Sequence, residues 1–206
     1  MKTRYISWDE ALGYKKDELE YAAGVLREGG LVAFPTETVY GLGGNGLMKE
    51  ASVKIYEAKG RPSDNPLILH ISSRQELEPI VRGITPEAEA LMEAFWPGPM
   101  TLIFQKAPEV PLETTGGLET VAVRMPSHAG ARELIRQAGV PVAAPSANTS
   151  GRPSPTRAEH VKEDLDGKID VIIDGGQVGI GIESTIIDLT EDVPVILRPG
   201  YITKAM

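Results

Sequence analysis

Apolar residues recur along this 206-residue chain at two spacings, and segments of the two kinds alternate. Helical spacing marks six segments, at residues 17–28, 51–58, 74–82, 86–95, 127–138 and 157–165. Short apolar runs bounded by turn residues predict strands at 31–34, 67–71, 100–104, 120–124, 140–144, 171–173, 184–189 and 195–197. Residues 1–16 are weakly periodic and indicate a short edge strand or an arm. Because helices and strands interleave early and strands cluster late, we expect an α/β or α+β domain with a mixed sheet.

Composition agrees with one ordinary globular domain and narrows the classes of function. The chain is 41% apolar and 24% charged, and no repeat or linker divides it, so we predict a single domain over residues 1–206. A net charge of −8 argues against a surface that coats nucleic acid, although it is compatible with a local cationic cleft. The absence of cysteine excludes disulfides and thiol chemistry. No run approaches the length of a membrane span, so we expect a cytoplasmic protein without membrane association.

Segment 59–66 places two cations two positions apart and follows them with rigid and short polar residues. Lys59 and Arg61 open the segment, and Pro62 and Pro66 restrict its flexibility. It lies between a predicted helix and a predicted strand, where such a loop is suited to holding a polyanion against a packed scaffold. Taken alone, a charged surface turn would have the same composition.

Segment 41–46 matches the pattern G-x-G-x-x-G, but it is a weak indication of dinucleotide binding. In that motif the first glycine directly follows the strand, whereas residues 35–40 intervene here, and the next strand ends in Ser72 and Ser73 with no acidic residue. We interpret the glycines as allowing the backbone to turn tightly beside a ligand. No P-loop pattern is present either.

Segment 35–41 brings hydroxyls, a carboxylate and a phenol directly after a buried strand. Loops at strand ends are where open α/β sheets place ligands, so Thr36, Glu37 and Thr38 are candidates for contact with one. An ST-turn with Tyr40 in the core would account for the same residues.

Two polar residues belong to apolar strands, and each has two readings. Arg124 either pairs with a structural carboxylate or binds an anionic ligand, since charged groups at such positions are seldom left unpaired. His70 is either a ligand-binding group or a satisfied core histidine, which is the commoner case. The three histidines of the chain have no metal-ligand spacing, so no catalytic zinc is predicted.

A second strand-end loop, at 143–151, combines small side chains with hydrogen-bonding groups. Across the chain, four cations lie in or beside strand-end loops, and these are Lys59, Arg61, Arg124 and Arg198. Neutral donors at comparable positions are Thr36, Thr38, Ser146, Asn148, Ser154 and Ser184. This pattern suits a polyphosphate together with a small carboxylate ligand, with catalysis by positioning and charge neutralisation.

Six segments together resemble the YrdC family, in order from about residue 20 to 203, and they are residues 31–43, 59–67, 95–101, 123–126, 145–148 and 183–185. The resemblance implies a twisted open mixed sheet with flanking helices around a positively lined cavity. It also implies an enzyme that joins L-threonine, bicarbonate and ATP into threonylcarbamoyl-adenylate and releases pyrophosphate. The product would serve the N6-threonylcarbamoyl modification of adenosine 37 in tRNA.

The family signature Lys-x-Arg…Ser-x-Asn corresponds to Lys59, Arg61, Ser146 and Asn148. The resemblance implies that Lys59 and Arg61 are catalytic and neutralise charge around the α-phosphate. It implies ATP ligands at Arg61, Asn65, Thr120, Ser146, Asn148, Ser154 and Arg198. It implies L-threonine ligands at Thr38, His70, Arg124, the backbone of Ala144 and Ser184. Mg²⁺ is expected to travel with ATP and not to occupy a protein cage.

The chain departs from the longer form of this enzyme, which carries a linker and a second domain after the strand containing Arg198. We therefore expect either a naturally short enzyme or a truncated one that ends soon after residue 203. The expected partners are ATP, L-threonine, bicarbonate and the machinery that transfers the group to tRNA; direct tRNA binding has weak support. Two other hypotheses are a non-catalytic RNA-binding module and a carbamoyl-transfer domain of the hydrogenase-maturation type.

Overall fold

A computed structural model describes residues 2–8 and 15–206, and its described part contains ten strands in one continuous sheet. The strands are β1 Arg4–Ser7, β2 Val32–Pro35, β3 Tyr40–Asn45, β4 Ile68–His70, β5 Met100–Gln105, β6 Thr120–Arg124, β7 Val142–Ala143, β8 Val171–Asp174, β9 Thr185–Asp188 and β10 Val195–Arg198. The α-helices are α1 Lys16–Arg27, α2 Lys49–Lys59, α3 Pro86–Phe95, α4 Ala129–Ala138 and α5 Ala158–Leu165. The predicted mixed sheet with flanking helices is confirmed.

The sheet runs in the order β1-β8-β2-β3-β7-β4-β6-β5-β9-β10. Four neighbouring pairs are parallel, β1/β8, β2/β8, β4/β6 and β5/β9, and the other five are antiparallel. Strand β1 lies at one edge, which confirms an edge strand within residues 1–16. Residues 9–14 of the predicted arm lie outside the described residues.

Strands β4, β6, β5 and β9 alternate between a buried face and an open face. Side chains directed into the main core at the centre of these strands are Leu69, Val123, Leu102 and Ile187. Successive side chains of a strand point to opposite faces, so the intervening residues are presented together on the other side of the sheet. This alternation determines which side chains are available to a ligand.

Helix boundaries follow the capping chemistry of the sequence. The Thr85 hydroxyl accepts the Ala88 N–H at 3.2 Å, which begins α3 with Pro86 as its first residue, as predicted. Helix α2 ends at Lys59 and is capped by Gly60, whose φ of 59° lies in the left-handed region that glycine adopts without strain. That cap turns the chain sharply into the cationic segment 59–66.

Two expectations about local structure were wrong. Residues 74–82 do not form an α-helix but two short 3₁₀ turns, Arg74–Glu76 and Glu78–Ile80. Pro79 lacks the N–H that a continuing helix would need. Residues 41–46 do not form a tight turn, because they belong to β3 and its end, which pairs antiparallel with β2.

The glycines of β3 serve packing between neighbouring elements. A Cβ on Gly43 would lie 2.7 Å from the Phe34 ring and 3.0 Å from Val142. A Cβ on Gly46 would lie 2.2 Å from Leu69. Gly41, Gly43, Gly44 and Gly46 all have ordinary φ angles. At Gly43 and Gly46 a side chain is therefore excluded by close approach, and not by a special turn.

Within residues 2–8 and 15–206, no helix combines the length and the apolar character that crossing a membrane requires.

Candidate active site

A cavity of about 310 Å³ opens on the exposed face of the sheet where β4, β6, β5 and β9 lie side by side. Its size is within the range of small-molecule sites. Three guanidinium groups line it, and they belong to Arg61, Arg124 and Arg198. A local cationic site is therefore present on a chain whose net charge is −8.

Sheet register arranges the floor of the cavity into two rows. One row is polar and consists of His70 and Arg124, which are paired across adjacent strands. Thr101, the register partner of Arg124 on β5, is fully buried and does not line the cavity. The next row on the same face, two residues along each strand, is apolar and consists of Ile68, Ala122 and Ile103. A ligand on this floor would meet charged and hydrogen-bonding groups at one end and half-exposed apolar side chains at the other.

Arg124 is the most constrained cation of the site, with only 4% of its surface exposed. It donates to Glu37 Oε1 at 2.5 Å, to Thr38 Oγ1 at 2.9 Å and to the Gly98 carbonyl at 3.3 Å. Burial lowers the pKa of Arg124, and the Glu37 carboxylate opposes that effect. A guanidinium has five N–H groups, so Arg124 retains N–H groups that can donate to a bound carboxylate.

Glu37 explains how a buried arginine is tolerated in the polar row. Burial alone would raise the pKa of Glu37, but the charge and hydrogen bond of Arg124, together with backbone hydrogen bonds, hold that pKa below its usual range. The loop around Glu37 is ordered by Thr36, whose hydroxyl accepts the N–H groups of Thr38 and Val39. Tyr40 is fully buried and its hydroxyl donates to the Gly176 carbonyl at 2.6 Å. Segment 35–41 is thus both an ST-turn and a wall of the cavity, to which Thr38 contributes.

His70 lies beside Arg124 in the row and is 3% exposed. Burial first, and then the Arg124 cation, lower the pKa of His70 to about 3. Its Nδ1 lies 3.1 Å from the Ile68 carbonyl, which requires Nδ1 to carry the proton. The ring is therefore neutral at physiological pH, and its Nε2 holds a lone pair that can accept a hydrogen bond.

Ser184 anchors the third cation of the cavity. Arg198 donates from both Nε and Nη2 to the Ser184 carbonyl, at 3.1 and 2.9 Å, and also to its hydroxyl at 3.2 Å. The Ser184 hydroxyl is further paired with Thr101 at 2.7 Å. Arg198 on β10 is thus oriented by the chain that precedes β9.

One carboxylate, Glu183, is among the described residues that line the cavity. The Ser154 hydroxyl donates to it. Burial alone would raise the pKa of Glu183, but the Ser154 hydrogen bond and the nearby Arg198 cation hold it below its usual range. Glu183 is therefore ionised beside the three guanidinium groups.

Arg61 and its loop form the opposite rim. The guanidinium donates to the Pro66 carbonyl at 3.1 Å, while its Nε is buried with no partner. Burial lowers the pKa of Arg61. Asn65 and Pro66 also line the cavity, so segment 59–66 reaches it through Arg61 and residues 65–66.

The predicted site residues fall into two groups. Nine of them line the cavity, namely Thr38, Arg61, Asn65, His70, Arg124, Ala144, Ser146, Ser184 and Arg198. Four described residues lie outside its lining, namely Lys59, Thr120, Asn148 and Ser154. Lys59 is 2% exposed and donates to the carbonyls of Ser146 and Asn148 at 2.5 and 2.6 Å. Its predicted role in catalysis stays a prediction, and this geometry favours an action through the loop that it holds.

Sequence reasoning missed two carboxylates of this site. Glu37 was a candidate for ligand contact but not for pairing with Arg124, and Glu183 was only part of a matching segment, although each immediately precedes a residue predicted to bind threonine. The missing signal was the requirement that buried arginines have partners, which points to acidic residues in neighbouring strand-end loops.

No group of three or more described His, Asp or Glu side chains is arranged to hold a metal ion. Glu183 is the carboxylate that lines the cavity, and it already accepts from Ser154. This donor set fits Mg²⁺ only as an ion carried mainly by phosphate oxygens.

A positively lined cavity on the open face of a mixed sheet is the architecture implied by the resemblance. Residues 24–200 match the family profile Sua5_yciO_yrdC, described as telomere recombination. The chain belongs to this family.

Its relatives include named synthases and solved structures. The threonylcarbamoyl-AMP synthase of Pyrococcus abyssi is 61% identical over 183 residues, which are 89% of this chain and 54% of the relative. That of Bacillus subtilis is 54% identical over 207 residues, which are 99% of this chain and 60% of the relative. The crystal structure of P. abyssi Sua5 complexed with L-threonine superposes with a TM-score of 0.94 at 57% identity, over 96% of this chain and 58% of that one. The chain thus spans little more than half the length of these relatives.

Proposed function

We propose that this chain is the catalytic domain of a threonylcarbamoyl-AMP synthase. It would condense L-threonine, bicarbonate and ATP into L-threonylcarbamoyladenylate and pyrophosphate, to supply the threonylcarbamoyl group for adenosine 37 of tRNA. The observation that carries the proposal is the pair of His70 and Arg124 on adjacent strands beside two further guanidinium groups in one cavity. Sequence identity of 54–61% to proteins of that name supports the same reaction.

The polar row is suited to an amino acid with a hydroxyl. Arg124 would take the threonine carboxylate through its N–H groups that are not directed at Glu37, Thr38 or Gly98. The neutral His70 ring and the hydroxyls of Thr38 and Ser184 would offer partners to the threonine side chain and amino group. The related P. abyssi Sua5 was crystallised with L-threonine, which supports this ligand here.

The remaining cations are suited to the nucleotide. Arg61 and Arg198 would face the phosphates, with Asn65 and Ser146 as neutral partners on the same rim. Half-exposed apolar side chains of the second row would cover a nonpolar part of the ligand. Thr120, Asn148 and Ser154 are proposed to act from outside the lining, as Ser154 does by holding Glu183.

The proposed reaction has two steps, carbamate formation and adenylation. The unprotonated amine of threonine and bicarbonate form a carbamate and water. A carbamate oxygen then attacks the α-phosphorus of ATP, and the bond from that phosphorus to the bridging oxygen breaks, so pyrophosphate leaves. Charge develops on the phosphoryl oxygens, where Arg61 and Arg198 would stabilise it. Mg²⁺ bound to ATP would further neutralise the phosphates.

The test is pyrophosphate release by this chain with ATP and bicarbonate, with and without L-threonine. Release that depends on threonine is expected. Release that is unchanged without threonine would contradict the proposal. No release, despite ATP and threonine binding to the same chain, would indicate that the remainder of the longer relatives is required for turnover.

Two competing hypotheses give different results. A non-catalytic RNA-binding module would bind RNA in a strongly salt-dependent way without binding ATP. A carbamoyl-transfer domain of the hydrogenase-maturation type would turn over with carbamoyl acceptors other than threonine. The cytoplasmic location and the transfer of the product by downstream tRNA-modifying machinery remain predictions.

A further inference from the structure

The loop at residues 146–152 is held on one side by a buried carboxylate from α5. Asp164 is 7% exposed. Its Oδ2 accepts the backbone N–H of Thr149 at 2.8 Å, and its Oδ1 accepts the Arg152 guanidinium. Each oxygen of this carboxylate thus accepts a hydrogen bond from the loop, and Asp164 does not line the cavity.

The other side of the loop is held by Lys59 from the end of α2. An ammonium group has three N–H donors. Here the acceptors within reach are the Ser146 carbonyl at 2.5 Å, the Asn148 carbonyl at 2.6 Å and Asn148 Oδ1 at 3.4 Å. In return, the Ser150 N–H donates to the Lys59 carbonyl at 2.8 Å. Two of the three donors of Lys59 are thus committed to short hydrogen bonds with this loop, and the third lies within 3.4 Å of Asn148 Oδ1.

Asn148 joins the two sides. Its Nδ2 donates to the carbonyls of Thr149 and Arg152 at 3.0 and 2.8 Å, while its Oδ1 faces Lys59. Asp164 and the Asn148 amide therefore form hydrogen bonds with the same two residues, Thr149 and Arg152. A disturbance on the α5 side would be transmitted across this amide to Ser146.

We infer that Asp164 is a positioning residue for the nucleotide, which acts with Lys59 and Asn148 to fix Ser146 against the cavity. The inference rests on the proposed function, because Ser146 is the proposed ATP partner of this loop. The interaction is also electrostatic. Burial and Arg61 lower the pKa of Lys59 to about 8, whereas the Asp164 charge opposes that change and favours the ammonium form.

The test uses Asp164→Asn with Glu163→Gln as its matched control. Asparagine keeps the size of the side chain but replaces one acceptor oxygen with an NH₂ donor. That donor would face another donor, either the Thr149 N–H or the Arg152 guanidinium, and one hydrogen bond would be lost. Glu163 immediately precedes Asp164 in α5 and also pairs with Arg152, at 3.7 Å, but its side chain is 62% exposed. We expect Asp164→Asn to weaken ATP binding about tenfold in calorimetric titration, and Glu163→Gln to leave it unchanged.

Threonine binding, measured without ATP, distinguishes positioning from general loss of structure. His70 and Arg124 lie on the sheet and do not contact Asp164, so both variants should bind threonine as the wild type does. Loss of threonine binding together with ATP binding in Asp164→Asn would overturn the inference. Equal ATP affinity in Asp164→Asn and the wild type would also overturn it. Failure of the wild type itself to bind ATP and threonine would instead contradict the proposed function.

A second pair of measurements keeps the inference falsifiable where Asp164→Asn folds poorly. Arg152→Gln removes one of the two loop contacts of Asp164 from a half-exposed side chain, and should weaken ATP binding by a smaller factor. Lys59→Met should also weaken ATP binding, and its effect combined with Arg152→Gln should be less than the product of the two, because both act on one loop. Independent, multiplicative effects would mean that Lys59 contacts the nucleotide itself and would overturn the shared-loop account.

Discussion

Replacement of Arg124 by methionine should destabilise the fold and abolish threonine binding, and the two effects can be separated. Arg124 is 4% exposed, and the side chain of Glu37 is 14% exposed, so both charges of the pair are withdrawn from water. Glu37 Oε2 already lacks a hydrogen-bond partner, and Arg124 is the cation that pairs with this carboxylate. Removing one member of such a pair leaves an uncompensated buried charge, which costs about 3–5 kcal/mol.

The double variant Glu37→Gln, Arg124→Met should recover most of that stability, because no buried charge remains. It should still fail to bind threonine, since the group proposed to accept the carboxylate is gone. The pH dependence has a defined sign. In the wild type the folded pKa of Glu37 is lowered, so its contribution to stability is present above the unfolded pKa of about 4.3 and is lost as pH falls through the folded value. In Arg124→Met, burial raises that pKa instead, so the deficit should shrink as pH falls from 7 to 5.

Urea unfolding at pH 7 and pH 5 measures the stability terms, and calorimetry with threonine measures binding by the variants that remain folded. Arg124→Met as stable as the wild type would refute the argument that the pair is energetically coupled. Threonine binding by the double variant with wild-type affinity would refute the role of Arg124 as the carboxylate partner.

Three further predictions concern a buried base, a close contact and a rim cation. The pKa of His70 is about 3 in the folded state and about 6.5 in the unfolded state, so the wild type should lose about 2 kcal/mol of stability between pH 7 and pH 5. The variant His70→Gln should not show this loss. Identical urea midpoints for the two proteins at each pH would contradict the prediction. Gly43→Ala should cost about 1–3 kcal/mol, because its Cβ would meet the Phe34 ring at 2.7 Å, while ATP affinity stays unchanged. A Gly43→Ala protein with normal stability and weakened ATP binding would restore the ligand-approach interpretation. Arg61→Gln should lower pyrophosphate release at least about tenfold with little change in thermal unfolding, and an unfolded Arg61→Gln protein would mean that this cation is structural.

The pattern of apolar and polar residues predicted elements correctly where local chemistry sets their boundaries. It failed where tertiary contacts determine the local structure. Thr85 and Pro86 predicted the start of α3 correctly, because an N-cap hydroxyl followed by proline is a local signal for a helix start. Residues 41–46 could not be recognised as a strand, because four glycines carry no side-chain alternation. Glycine is needed in this segment because Phe34 and Leu69 approach it closely across the sheet, which the sequence does not show. Residues 74–82 kept a helical spacing of apolar residues, but Pro79 breaks the hydrogen-bond series that an α-helix needs.

The candidate site divides in the same way. Sequence position identified the cations at strand ends, and the sheet register brings Arg124 and Arg198 into the cavity. The spacing of residues could not reveal that Lys59 is turned inward to Ser146, since a lysine at the end of a helix has the same sequence pattern whether it faces a ligand or a carbonyl. Glu37 was missed as the partner of Arg124 because 87 residues separate the two along the chain.

The central claim is that this cavity joins threonine, bicarbonate and ATP in one product. The most direct measurement is incorporation of isotopically labelled bicarbonate into nucleotide-containing product, resolved by chromatography and identified by mass. The account predicts labelled threonylcarbamoyladenylate that forms only when both ATP and threonine are present. Labelled nucleotide without threonine, or threonine-dependent pyrophosphate release that yields no labelled nucleotide product, would contradict it.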